Sequence, residues 1–229
     1  MTSIAANLQA VRNRVAAACV AASRDPASVV LLAVSKTWPA EAVRAAAECG
    51  QRAFGESYVQ EALPKLDALA DLALEWHFIG PLQSNKTRHV AANFAWAHSV
   101  ERMKIAERLS AQRPAGLAPL DVCIEVNVSG EASKSGCLPS EVPALCKAVA
   151  GLPNLKLRGL MAIPEPTDDL ALQRQRFAHL RRMRDDLNAD GLALDTLSMG
   201  MSHDLEAAIM EGATIVRVGT AIFGERGST

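Results

Sequence analysis

A lysine closes one of the most apolar runs in this chain, Val29-Val30-Leu31-Leu32-Ala33-Val34-Ser35-Lys36. Branched and small residues in an unbroken series read as a strand buried on both faces. An ammonium has no use inside such a strand. At its C-terminal end, however, an amine can be partly desolvated, which lowers its pKa and frees the lone pair for attack on a carbonyl. That is the chemistry of a Schiff-base lysine. Taken alone, a lysine in this place more often snorkels into solvent, so the weight falls on what other residues accompany it.

The last apolar run supplies the second signal, Val216-Arg217-Val218-Gly219-Thr220-Ala221-Ile222-Phe223-Gly224. Gly219 would let backbone N–H approach an oxyanion, and Thr220 would add a hydroxyl donor at the start of a short helix. Ser202, in Ser198-Met199-Gly200-Met201-Ser202, either caps a helix beginning at His203 or also touches the anion. Arg217 lies within the strand pattern, so its side chain points into the sheet's enclosed side or into the helix layer. A guanidinium in either place needs an acceptor, whether a ligand or a helix carboxylate. An amine and a phosphate site on one rim fit a phosphorylated aldehyde, and pyridoxal 5′-phosphate (PLP) is the obvious one.

The elements that would position these groups alternate along the chain. Ile4 to Ala22 has helical spacing (Leu8, Val11, Val15, Ala18) and precedes the first strand. Strands are expected at 29–36, 52–55, 74–80, 95–99, 120–128, 155–163, 197–200 and 214–219. Helices follow at 38–50, 58–72, 84–92, 101–113, 139–150, 168–187 and 203–211. Strand and helix in about eight repeats predict an α/β fold, a single TIM (β/α)8 barrel over residues 1–229 with an extra N-terminal helix. A doubly wound open sheet is the competitor. In a barrel the chemistry sits at the strands' C-terminal ends, and nearly every end here carries a polar residue or glycine, Lys36, Glu56, His77, His98, Asn127, Gly200 and Gly219, with Met161 at the sixth. The charged stretch 174–186 reads as a solvated face with i,i+4 pairs.

Composition narrows the function classes. The net charge is −1 with no basic block, and aromatics are 4%, so nucleic-acid binding has nothing electrostatic to start from. No apolar run approaches membrane-spanning length, and the N-terminus lacks the order of a signal peptide. The five scattered cysteines, with no C-x-x-C pair, predict reduced thiols and a cytoplasmic chain, with no metal site. His77, between Trp76 and Phe78, is either a satisfied core residue or a ring that stacks near a cofactor.

Longer strings make the pattern specific. Leu31 to Lys36, Phe54-Gly55-Glu56-Ser57-Tyr58-Val59-Gln60-Glu61, and His77-Phe78-Ile79-Gly80-Pro81-Leu82-Gln83-Ser84-Asn85-Lys86 come first. Asn127, Lys134-Ser135-Gly136, Arg158-Gly159-Leu160-Met161, Ser198 to Ser202, and the Val216 run follow in order. On these the chain resembles the pyridoxal phosphate homeostasis proteins, whose barrel is that of fold-type III PLP proteins and of the N-terminal domain of alanine racemases. The resemblance implies that Lys36 carries the cofactor as an internal aldimine, that Ser202, Gly219 and Thr220 bind its phosphate, and that Arg217 faces the pyridine nitrogen. Met161, Gly200, His77 and Asn127 complete the expected cofactor-binding set. Arginine at that position keeps the pyridine nitrogen unprotonated and the ring a weak electron sink, which suits holding or racemase-like chemistry better than transamination. One departure is Ser57, where the family usually has asparagine.

The expected function is therefore PLP holding and release in vitamin B6 and amino-acid balance, with no catalytic residue assigned. Apo PLP-dependent enzymes are the expected recipients, and the chain is expected to be a monomer or weak homodimer. The alternative is an amino-acid racemase. Two-base racemases of this fold add a second domain and a tyrosine base, whereas this chain continues only five residues past Gly224 and has a single tyrosine, Tyr58. A Schiff-base aldolase using Glu56 to shuttle protons is a third reading. Lys86 and Lys134 are further cations that could meet anions near the mouth.

Overall fold

The Val29–Ser35 run forms β1 (Val30–Val34), which pairs in parallel with both β2 (Ala53–Glu56) and β8 (Ile215–Val218). That double pairing closes the sheet into an eight-stranded barrel in sequence order. The remaining strands are β3 (Glu75–Phe78), β4 (Trp96–Val100), β5 (Leu120–Glu125), β6 (Leu155–Met161) and β7 (Thr196–Ser198). The computed structural model describes residues 3–130 and 135–225. The open-sheet alternative is excluded because neither β1 nor β8 has a free edge.

Helices cover the barrel: α2 (Ala40–Glu48), α3 (Val59–Ala68), α4 (Thr87–Asn93), α5 (Met103–Gln112), α6 (Val142–Ala150), α7 (Leu170–Ala189), α8 (Leu205–Met210) and the short α9 (Thr220–Phe223). The larger core lies between strands and helices, where outward residues such as Ala33, Phe54, Ala97, Val122 and Val216 meet Val43, Ala62, Ile105 and Cys146. Alternation sends the other residues of each strand inward. There Leu32, Ala53, Trp96, Cys123, Met161 and Ile215 form a separate apolar layer. Above and beside it the barrel holds buried polar groups, among them His77, His98, Ser198 and Arg217.

The expected N-terminal helix is α1 (Ile4–Ala21), started by Ser3, whose side chain accepts from Ala6 N. Its buried face (Leu8, Val11, Val15, Ala18) packs against α2, α8 and α9, and each large aliphatic side chain there stabilises by about 1.5–3 kcal/mol. Asn7 Nδ2 donates to Ile222 O at 3.0 Å, and Arg24 donates to Ile209 O and Ala213 O at 2.8 Å each. The helix thus fastens the elements on either side of β8.

Two local expectations change. The helix expected from His203 begins at Leu205, because Asp204 Oδ1 accepts from Met201 N at 2.6 Å and folds 201–204 into a turn. Asp204, not Ser202, is the residue at its N-cap. On α7 the charges are not mainly paired along the helix: Arg174 and Arg181 reach across to the buried Glu211 at the end of α8. Apolar patterning marks the strands but overruns them. Val126 leaves β5 to bridge Cys137, and both residues are buried. Among the described residues no helix is long and apolar enough to cross a membrane.

Candidate functional site

Lys36 emerges at the C-terminal end of β1 in a tight turn. Ser35 N donates to Gly55 O, and Trp38 N returns to Ser35 O, both at 3.0 Å. Thr37, a β-branched residue, is held at φ +69°, a left-handed conformation that costs about 1–3 kcal/mol. Glu61 Oε2 accepts its N–H at 3.1 Å. Beneath the turn lies a buried cluster: Ser35 Oγ and Lys65 Nζ each donate to Glu56 Oε1 at 2.6 Å, and Lys65 Nζ also donates to Ser35 O at 2.9 Å. Burial pushes the Glu56 carboxyl up, while the bonds from Lys65 and Ser35 pull it down. Its Oε2 finds no hydrogen-bond partner among the described residues. Glu56 therefore faces α3 and braces the lysine turn from behind. The aldolase reading loses its proton shuttle with that placement.

Beside β1, its partner strand β8 runs into Gly219, the N-cap residue of α9, and then Thr220. A Cβ on Gly219 would stand 3.2 Å from Val34 O, so glycine allows β8 to pass close to the strand that carries Lys36. Ser202 lies in the 201–204 turn, and its carbonyl accepts from Arg14 Nη2 of α1 at 3.0 Å, while Arg14 also pairs with Glu206 at 2.8 Å. Trp38 stacks on Phe223 with ring centroids 5.8 Å apart, joining the lysine turn to α9. Between these parts opens a cavity of about 230 Å³. Lys36, Ser202, Arg217, Gly219 and Thr220 all line it.

Arg217 settles its own ambiguity by pointing inward. It is 4% exposed, and its Nη1 donates to Ser198 Oγ at 2.7 Å and its Nη2 to Ala162 O at 2.8 Å. Burial depresses it to about 10, with Asp204 and Glu125 opposing from a distance. No carboxylate among the described residues forms a salt bridge with it. A structural ion pair with a helix acid, the other expectation, is not what holds it.

The other expected residues lie off the cavity wall. Met161 belongs to the apolar layer inside the barrel. Gly200 has φ +92°, and a Cβ there would come within 2.5 Å of Ala208 Cβ, so its glycine serves the seating of α8. Asn127 is buried, with its Oδ1 accepting from Gly130 N at 3.0 Å. His77 is a satisfied interior residue, bonded to His98 at 2.9 Å and Glu75 at 2.8 Å and stacked on Trp96. Lys86 precedes α4 and does not line the cavity, and Lys134 lies outside the described residues.

Trp38, Ile79, Ile163 and Met201 line the cavity without having been singled out for it, and Ser57 and His203 line it as well. Ile79 and Ile163 sit one and two residues beyond their strands on the inward register, a signal that period-2 counting past the strand end would have found. Glu125 shares the inward face of β5 with Cys123 and is 6% exposed. Burial, helped by the charge of Glu101, raises its carboxyl to about 7 against a weaker pull from Arg217.

The family profile described as alanine racemase, N-terminal domain, matches residues 2–227. A pyridoxal phosphate homeostasis protein of Pseudomonas aeruginosa is 66% identical over 226 residues, spanning 99% of this chain and 97% of that one. The chain belongs to the pyridoxal phosphate homeostasis family. A second member, from Escherichia coli K12, is 51% identical over 229 residues, spanning 99% of this chain and 98% of its own. Among solved structures, PipY of Synechococcus elongatus with PLP bound superposes with a TM-score of 0.85 at 38% identity, over 97% of this chain and 100% of PipY.

Proposed function

We propose that this chain binds PLP in the barrel mouth and serves PLP homeostasis as a holder and donor of the cofactor. The observation that carries the proposal is convergence: an amine from β1, an inward guanidinium from β8 and the Gly219-Thr220 turn meet on one cavity. These groups fit PLP chemically. Lys36 supplies the amine for the aldehyde carbon, Ser202, Gly219 and Thr220 supply hydroxyl and backbone donors for the phosphate, and Arg217 supplies a donor to the ring nitrogen. When bound through a lysine, PLP acts as an electron sink for amino-acid carbanions. An arginine beside the ring nitrogen weakens that sink, since a guanidinium cannot give up a proton to it.

Retention rather than turnover is the reading the residues favour. Tyr58, the only tyrosine, is 48% exposed and does not line the cavity, so the racemase alternative lacks its base there. The five cysteines are free thiols and all but Cys49 are buried, which suits a reducing, cytoplasmic setting. Apo PLP-dependent enzymes are the recipients such a holder would supply.

The test is the absorbance of the purified protein with added PLP, before and after borohydride reduction. A lysine-bound PLP band that reduction fixes as a pyridoxyl adduct on the Lys36 peptide is expected. Lys36→Ala should lose the band and keep the folded circular-dichroism spectrum. No band in the wild type, or an adduct on another lysine, refutes the assignment.

A further inference from the structure

Behind Arg217 a continuous line of hydrogen bonds runs through the barrel to its opposite end. Arg217 Nη1 donates to Ser198 Oγ at 2.7 Å, and Ser198 Oγ meets His98 Nδ1 at 2.8 Å. His98 Nε2 meets His77 Nδ1 at 2.9 Å, and His77 Nε2 meets Glu75 Oε1 at 2.8 Å. Four strands contribute: β8, β7, β4 and β3. Arg217, Ser198, His98 and His77 are 4%, 0%, 0% and 1% exposed, whereas the Glu75 side chain is 52% exposed. The line therefore begins at the cavity and ends in solvent at the other rim.

The two ends fix its direction. A guanidinium can only donate, so Ser198 Oγ accepts from it and is free to turn its own proton toward His98 Nδ1. A carboxylate can only accept, so His77 Nε2 must carry the proton at the far end. With His77 Nε2–H set, His77 Nδ1 accepts and His98 Nε2 donates, which leaves His98 Nδ1 as the acceptor that Ser198 requires. Both ends impose one arrangement, with both rings neutral and protonated on Nε2. The reverse arrangement would leave the Ser198 hydroxyl proton unmatched and aim a ring lone pair at a carboxylate.

The surroundings agree. Burial lowers both histidines, His98 well below the usual imidazole range and further opposed by His77 and Arg217. The groups facing the pair are Glu75 on β3, Asp121 on β5 and Arg217 on β8, with Trp96 on β4 stacked on His77 at 5.3 Å. Arg158 of β6 covers the outer side of Trp96 at 4.7 Å and pairs with Asp121 and Asp195.

We propose that Glu75, His77, His98 and Ser198 are positioning residues, a one-way relay that gives Arg217 a polarised neutral acceptor and holds its guanidinium in the cavity wall. Its link to the cofactor rests on the PLP reading above, but its internal order does not. Because Ser198 and Ala162 O carry no formal charge, Arg217 keeps its positive charge toward the cavity instead of spending it on an acid. Events at the cavity are in turn felt at His77, which does not line it.

The test is ¹⁵N NMR of histidine-labelled protein, with the exposed His89, His179 and His203 assigned by single His→Gln variants. In the cofactor-free protein at neutral pH, His77 and His98 should each show one tautomer, protonated on Nε2. An Nδ1 proton on either ring, or an imidazolium, overturns the relay. Adding PLP to the wild type should shift the His77 ring nitrogens. In Ser198→Ala, where Glu75 still sets the His77 tautomer, PLP should bind with its lysine-bound absorbance intact and the His77 shift should be lost. An equal shift in Ser198→Ala, or none in the wild type while the PLP band is present, overturns the coupling. Should Ser198→Ala fail to fold, His98→Leu, which removes the link between Ser198 and His77, serves instead, and an unchanged His77 response to PLP there overturns it. Absence of the PLP band in the wild type would sink the cofactor reading, while the tautomers would still decide the relay.

Discussion

Replacing Glu125 with glutamine should flatten one segment of the stability–pH curve. The carboxyl is buried on the inward face of β5, and desolvation raises it from 4.5 to about 7 in the folded chain. An unfolded chain returns it to the ordinary range, so between these values the native state binds the proton and the unfolded state does not. Stability must then fall as pH rises, by about 1.36 kcal/mol for each pH unit in that window. Over the window from 4.5 to about 7 the loss comes to roughly 3 kcal/mol, a central value for a site this enclosed. Below the window the contribution is fully present, and above it the loss is complete. Glutamine keeps the volume and cannot ionise, so the difference in unfolding free energy, wild type minus Glu125→Gln, should decline through the window. Urea denaturation of both proteins at several pH values reads it directly. A difference that stays level would place the proton elsewhere. One that rises with pH would mean Arg217 outweighs burial and holds the carboxylate charged.

Three further substitutions probe how the site is assembled. Thr220→Val should weaken PLP retention by about 1–2 kcal/mol, or roughly 5–30-fold, through one lost charge-assisted hydrogen bond; wild-type dissociation would remove Thr220 from the phosphate site. Arg14→Ala cuts the tie from α1 to Ser202 O, and since its pair with Glu206 is partly exposed it should cost less than about 1 kcal/mol of stability. PLP release by that variant should nonetheless speed up by about threefold to tenfold, measured by transfer to an apo-enzyme; an unchanged rate would mean the 201–204 turn keeps its shape unaided. Gly200→Ala should destabilise by about 2–4 kcal/mol in thermal or urea unfolding, because it adds a side chain at positive φ and drives it into Ala208. A neutral result would show that α8 can shift.

Strand and helix order was legible in the sequence because parallel barrel strands are buried on both faces and carry unbroken apolar runs, while the helices between them keep one polar side. Lys36, Gly219 and Thr220 were legible for the same reason, since polar or flexible residues directly after such runs must lie at the strands' C-terminal ends. The resemblance added roles to positions already marked. What the one-dimensional pattern could not carry was direction. Arg217 and Glu56 both sit in strands, yet Arg217 turns into the barrel and Glu56 turns out to Lys65 on α3, a choice made by barrel closure and strand register. His77 kept two readings, core residue or ring near a cofactor, until its neighbours were known. Its bond to Glu75 lies within β3, but the one to His98 depends on the register of β4, which no local sequence encodes. Ser202 reaches the cavity through a turn set by Asp204 and tied down by Arg14, a residue 188 positions away. The sequence by itself thus determined which residues reach the rim, by placing them where apolar runs end. Only the tertiary structure decided which of them face the cavity, because that depends on partners brought together when β8 closes against β1.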